Sequence, residues 1–116
     1  MSRLRPGVVT DAATIALSHE PVPADQRVAG APTTGFVELD EIGSAEVGVW
    51  EMTPGAMRDV EADEVFVVLA GSATVTFEEP ALPAIELRPG SVVRLTADMR
   101  TVWTVHETLR KVYLAG

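Results

Sequence analysis

The residues best able to do chemistry in this 116-residue chain are acidic. Asp59-Val60-Glu61-Ala62-Asp63-Glu64 places four carboxylates within six positions. Such a run can attract a hard cation, but it lacks the ligand spacing and the glycine of a calcium loop, so it reads as a solvated loop. There are two histidines, His19 and His106, and no cysteine. Disulfides, thiolate metal sites and a cysteine nucleophile are thereby excluded. A transition-metal centre needs three or four converging ligands, so both histidines read as surface or hydrogen-bonded side chains. No G-x-x-x-x-G-K phosphate loop and no G-x-S-x-G elbow occurs. A lone Ser or Thr without a positioned base is not a nucleophile.

The elements that must position these groups are β-strands. Phe36-Val37-Glu38-Leu39 reads as one strand, Ala45 to Thr53 as another, and Glu64 to Ala70 as a third ended by Gly71. Ser72 to Glu78 alternates, with Ala73, Val75 and Phe77 on one side and Thr74, Thr76 and Glu78 on the other. Ile85-Glu86-Leu87, Ser91 to Thr96, Thr101 to Val105 and Thr108 to Leu114 complete the set. Many short strands with Gly and Pro punctuation predict a sandwich, jelly roll or closed barrel. Residues 1–33 read as an N-terminal arm, interrupted by Pro21, Pro23 and Pro32, with a helical turn capped by Asp11 over Asp11 to Leu17. Residues 34–116 then form a single domain.

Hydrophobic residues make up 47% of the chain, enough for one packed core. The net charge of −8 repels a phosphate backbone, so no nucleic-acid partner is expected. No long apolar stretch follows Met1-Ser2-Arg3, so neither a signal peptide nor a membrane span is expected, and the cytoplasm is the default location. Val65-Phe66-Val67-Val68-Leu69 is apolar on both faces. Its second face calls for a cover, either the arm or a second copy in a homodimer.

The punctuation resembles the cupins. Their first motif sets a Gly and an His-x-His pair before a Glu, with a Gly seven positions after it. Here Pro54-Gly55 opens the loop, and Glu64 is followed by Gly71 at the right distance. Gly90, in Arg88-Pro89-Gly90, fits the start of the second motif, G-x5-P-x-G-x2-H-x3-N. Gly48-Val49-Trp50-Glu51, Asp63-Glu64, Trp103 and Arg110-Lys111-Val112-Tyr113 are similar to the small cupins around ureidoglycine aminohydrolase and the ethanolamine-utilisation cupin. The resemblance covers roughly residues 45 to 114. It implies an all-β, cupin-type double-stranded β-helix or jelly-roll barrel. The departures are as informative. The stretch from Met57 to Asp63 holds no histidine. Thr96 falls at the second motif's Pro, Asp98 at its Gly, Thr101 at its His and Val105 at its Asn. Of the four usual ligands only Glu64 survives, so the family's metal is not carried over, although Mn or another divalent ion is not excluded.

If the barrel is adopted, Glu64 points inward and period two takes Phe66 and Val68 with it. Thr101 brings Trp103 and Val105 inward, and Trp50 and Met52 share a face. The implied pocket is therefore Trp50, Met52, Glu64, Phe66, Thr101 and Trp103, aromatic and apolar with two polar points. Glu64 is the candidate catalytic residue. Desolvation would raise its pKa and fit it for acid–base work or for holding a ligand's ammonium or hydroxyl, unless Arg58 or Arg100 neutralises it. The leading expectation is a metal-free barrel binding a small molecule. The alternatives are an enzyme of ureide or amine catabolism and a structural dimerisation domain.

Overall fold

The computed structural model describes residues 3–116. Its described residues form nine strands and no helix: β1 (His19–Pro21), β2 (Arg27–Ala29), β3 (Thr33–Ile42), β4 (Ala45–Met52), β5 (Gly55–Val60), β6 (Glu64–Glu79), β7 (Ile85–Leu87), β8 (Val92–Leu95) and β9 (Arg100–Ala115). All pairings are antiparallel.

The long strands β6 and β9 organise the rest. They pair with each other from Glu64–Ala115 to Glu79–Arg100, with register shifts in between. On the other edge of β9, the first half (Arg100 to Val105) takes β5 and the second half (Leu109 to Ala115) takes β4. On the other edge of β6, the first half takes β8 and the second takes β7. The hairpin bends back on itself. Trp103 and Lys111 are eight positions apart, about 26 Å in a straight strand. The Lys111 ammonium nevertheless lies 4.7 Å from the Trp103 ring centroid. The bend falls where β6 reaches Gly71, which has φ +87°, and where a Cβ would collide with the Thr108 carbonyl. Only glycine fits both the left-handed backbone and the contact. The curled sheet thus encloses one core, with Phe66, Val68, Ala73, Val75 and Trp103 nearly inaccessible.

Strands read as separate at the sequence level are continuous here. Glu64–Ala70 and Ser72–Glu78 form one bulged β6, and Thr101–Val105 and Thr108–Leu114 form one β9. Punctuation that ends a strand in isolation instead bends it when neighbours hold the ladder on both sides. The stretch Gly55–Val60, read as loop, is strand β5.

The N-terminal segment carries more structure than an arm's irregular path. Its first two residues lie outside those described. β1 and β2 pair with β3 and β5, and Val22 is buried in the core cluster. The segment from Asp11 makes a turn rather than a helix: Asp11 Oδ1 accepts from Ala13 N–H at 2.9 Å, and its carbonyl accepts from Ile15 N–H at 3.1 Å. The chain then crosses the outer face of the sheet. Arg3 N–H donates to the Leu39 carbonyl, and Arg110 Nη1 reaches the carbonyls of Ala12 and Ile15. On that face Leu39 and Val49 are buried, while Val65 and Val67 are half-buried. Val92 and Leu114, beside them, are exposed.

Candidate ligand-binding site

Register decides which side chains meet inside. In antiparallel pairs, directly opposed residues share a face. Trp50 opposes Lys111 and Gly48 opposes Tyr113, so all four positions face the interior. Asp59 opposes Thr101, and Met57 opposes Trp103, on the same side. The fold of β9 then sets these two groups against each other across a cavity of about 230 Å³. Phe36, Trp50, Asp59, Glu61, Glu64, Trp103, Lys111 and Tyr113 line it. Gly48 makes room for the tyrosine, since a Cβ there would collide with the Tyr113 ring.

The centre of the site is an ion pair. Lys111 Nζ donates to Glu64 Oε2 at 2.5 Å, and the lysine side chain is 6% exposed. Three rings surround the ammonium, with centroids at 4.8 Å for Trp50, 4.3 Å for Phe66 and 4.7 Å for Trp103. The negative faces of these rings favour the cation in a place where water is scarce. Arg58 and Arg100, considered as partners for Glu64, do not fill that role. Arg58 pairs with Glu78 at 3.3 Å on the outside, because its neighbour Asp59 takes the inward position.

A second carboxylate sits deeper than the sequence implies. Glu61 is buried and its Oε2 accepts from Thr101 Oγ1 at 2.6 Å and from Trp103 Nε1 at 2.9 Å. Thr101 and Trp103 are thus tied to an acid as well as to the core. Asp59 stands beside them, half-buried, with its carboxyl pushed up to about 6 by burial and then by the charge of Glu61. Burial, and the hydrogen bond to Glu46 at 2.9 Å, raise the Tyr113 hydroxyl as well. The acidic run is therefore not a solvated loop at its first half. Asp59 belongs to a strand whose alternate residues face inward, and Glu61 finds two donors that repay its burial.

Of the six pocket residues inferred from sequence, Trp50, Glu64 and Trp103 line the cavity. Met52, Phe66 and Thr101 are fully buried around it and contribute core or support instead of wall. Phe36, Asp59, Glu61, Lys111 and Tyr113 were not among the six. Lys111 and Tyr113 follow from period two once Leu109 is placed inward. Asp59 and Glu61 were obscured because Gly55–Val60 did not read as a strand. The histidines lie outside the site. His106 is exposed and bonds Thr74 Oγ1 at 3.0 Å, and His19 bonds Glu51 and Thr33 at 2.7 and 2.8 Å.

An antiparallel sheet curled around an interior site of this kind defines a cupin-type barrel. The sequence matches the family model of the EutQ-like cupin domain over residues 39–113, and the chain belongs to that family. No curated protein matches it. Among solved structures it is similar to a Pseudomonas syringae pv. tomato protein of unknown function from the DUF861 family, with TM-score 0.73 and 19% identity, covering 88% of this chain and 45% of that one. This chain thus spans less than half the length of that relative. It is also similar to EutQ of Clostridium difficile (TM-score 0.62, 14% identity, 81% and 78% of the two chains). A cupin superfamily protein of Desulfitobacterium hafniense resembles it too (TM-score 0.57, 14% identity, 71% and 75%). Identities this low establish the fold and leave activity to the site itself. No described helix is long and apolar enough to cross a membrane.

Proposed function

We propose that the barrel binds a small amphiphilic molecule and needs no metal to do so. The observation that carries this reading is the division of charge in the cavity. Glu64 is matched by Lys111, whereas Asp59 and Glu61 face the same space and, among the described residues, no cation is bonded to either. A ligand's ammonium or hydroxyl donors complement these two carboxylates, and its apolar part lies on Trp50 and the exposed rim residue Phe36. A cavity of about 230 Å³ sits below the usual range of about 300–1,000 Å³ for drug-sized ligands, which points to a smaller molecule. The test is a melting-temperature screen with small amines, polyols and carboxylates, followed by calorimetry. Amines or polyols should raise the Tm of the wild type and not of Glu61→Gln. A screen in which only carboxylates bind, or in which E61Q responds like the wild type, sinks the reading.

One observation favours an enzyme of ureide or amine catabolism as the second reading. A carboxyl that titrates near 6 beside a cavity suits general acid–base catalysis near neutrality. On this reading Asp59, rather than Glu64, is the group to replace. Turnover should show an inflection near pH 6 that disappears in Asp59→Asn.

The homodimer remains a proposal of its own. Val47, Val65, Val67, Val92, Val112 and Leu114 lie side by side on the outer face of β4, β9, β6 and β8. These six apolar positions carry no charge themselves, so a chain of net charge −8 can meet its own copy there with its carboxylates, such as Asp40 opposite Val47, at the margin of the contact. Sedimentation at micromolar concentration should show a dimer that Val67→Glu converts to a monomer; a wild-type monomer would end the proposal.

A further inference from the structure

Among the described residues there is no group of three or more His, Cys, Asp or Glu able to hold a metal ion. The one carboxylate at a family ligand position, Glu64, already has a cation on it. Lys111 Nζ donates to its Oε2 at 2.5 Å, and the side chains of the pair are 6% and 14% exposed. A fully buried lysine is rare, because desolvating an ammonium is costly unless other groups replace its water. Here Glu64 supplies one partner, and the faces of Trp50, Phe66 and Trp103 supply the rest at 4.3–4.8 Å. A carboxylate within an aromatic box is a receptor for an ammonium ion.

We propose that Lys111 is the barrel's resident cation: the chain fills its own ammonium receptor, and in doing so closes Glu64 to metal ions and to ligand cations alike. A ligand must then find its charge partner at Asp59 and Glu61. The geometry of the Lys111–Glu64 pair carries the inference, which stands whether or not the ligand reading above holds.

Two assays test it. In the first, wild-type protein purified without tag or chelator is incubated with manganese, iron, nickel and zinc, dialysed, and assayed for bound metal by elemental mass spectrometry. Far less than one equivalent is expected. One equivalent that is lost in Glu64→Gln overturns the proposal. In the second, Lys111→Ala empties the receptor by three methylenes and an ammonium, the size of n-propylammonium. That ion should raise the Tm of K111A while leaving the wild type unmoved, and n-propanol should not replace it. Equal rescue by propanol, or rescue by manganese alone, overturns the proposal. If K111A does not fold, Lys111→Met keeps the volume and removes only the charge. Adding Glu64→Gln to K111M should recover much of the lost stability, because the double variant no longer leaves a buried carboxylate without a partner. A loss that is the same in K111M and in K111M/E64Q would mean that Lys111 only packs, and would equally overturn the proposal.

Discussion

Arg110 and Lys111 are neighbours on β9 and face opposite sides of the same sheet, as do their partners Glu51 and Trp50 on β4. The outward pair is a strap. Arg110 Nε donates to Glu51 Oε2 at 2.8 Å, His19 Nε2 lies 2.7 Å from Glu51 Oε1, and Arg110 Nη1 reaches two carbonyls of the N-terminal segment. The inward pair is a filling, an ammonium held by one carboxylate and three rings. One residue of offset therefore separates a group that ties backbone to backbone from one that sets the charge of a cavity. The strand's period of two lets a short sequence, Arg110-Lys111, serve both. The strap joins β1 and the turn near Asp11 to the sheet by hydrogen bonds that water can partly replace. The filling has no such substitute, because its surroundings are aromatic.

That contrast sets the order of effects. Lys111→Ala should be the most damaging, at about 3–5 kcal/mol, since it strands Glu64 without a partner in a largely apolar site. Urea denaturation measures it, and a loss under about 1 kcal/mol would show that Glu64 finds water or another donor. Arg110→Ala comes next, at about 2–3 kcal/mol for charge-assisted hydrogen bonds lost where the paired side chains are 11% and 17% exposed. Its signature should be local. Amide exchange between Ala12 and Leu17 should accelerate more than exchange in β6. Acid should mimic it. Burial pushes Glu51 up, but the hydrogen bonds from Arg110 and His19 outweigh burial and leave it below its ordinary 4.5. A carboxylate with a lowered folded pKa gives stability that is present above 4.5 and lost as the pH falls through the folded value. The N-terminal segment should therefore become protease-sensitive in acid before the barrel melts. Simultaneous loss of both would show that strap and filling are one cooperative unit.

The same contrast explains what the sequence made legible. A sandwich, jelly roll or barrel was readable from local signals, the alternation in Ala73, Val75 and Phe77 and the turns at Pro54-Gly55 and Pro89-Gly90, and the motif resemblance chose the cupin-type barrel among them. Glu64 could be placed by the motif resemblance, Trp103 by period two from Thr101, and Trp50 by the face it shares with Met52. The partner of Glu64 could not, because Lys111 lies 47 positions away and meets it only through the pairing of β6 with β9. Nor could the inward turn of Glu61, which depends on donors from Thr101 and Trp103, 40 and 42 positions on. A carboxylate in an acidic run looks solvated until its donors are known. The bend in β9 was hidden for a related reason: no residue of β9 alone announces that Trp103 and Lys111 will meet.

Asp59 offers the finest cut between the two regions, because it belongs to the cavity but has no cation bonded to it among the described residues. Burial, and the charge of Glu61 after it, lift its carboxyl from 3.8 to about 6. A raised folded pKa gives stability that is complete below pH 3.8 and lost as the pH rises through about 6. Ionised Asp59 is therefore a burden at neutral pH. A two-unit shift is worth about 3 kcal/mol at full effect, and partial exposure screens this to about 1–2 kcal/mol. Asp59→Asn should stabilise the protein by that amount at pH 7.5 and by almost nothing at pH 4, as read from urea midpoints at the two values. The direction is opposite to that for the strap, where acid removes stability. If D59N instead destabilises at pH 7.5, Asp59 is already paired with a positive charge in the cavity, and the division of charge on which ligand binding was argued does not hold.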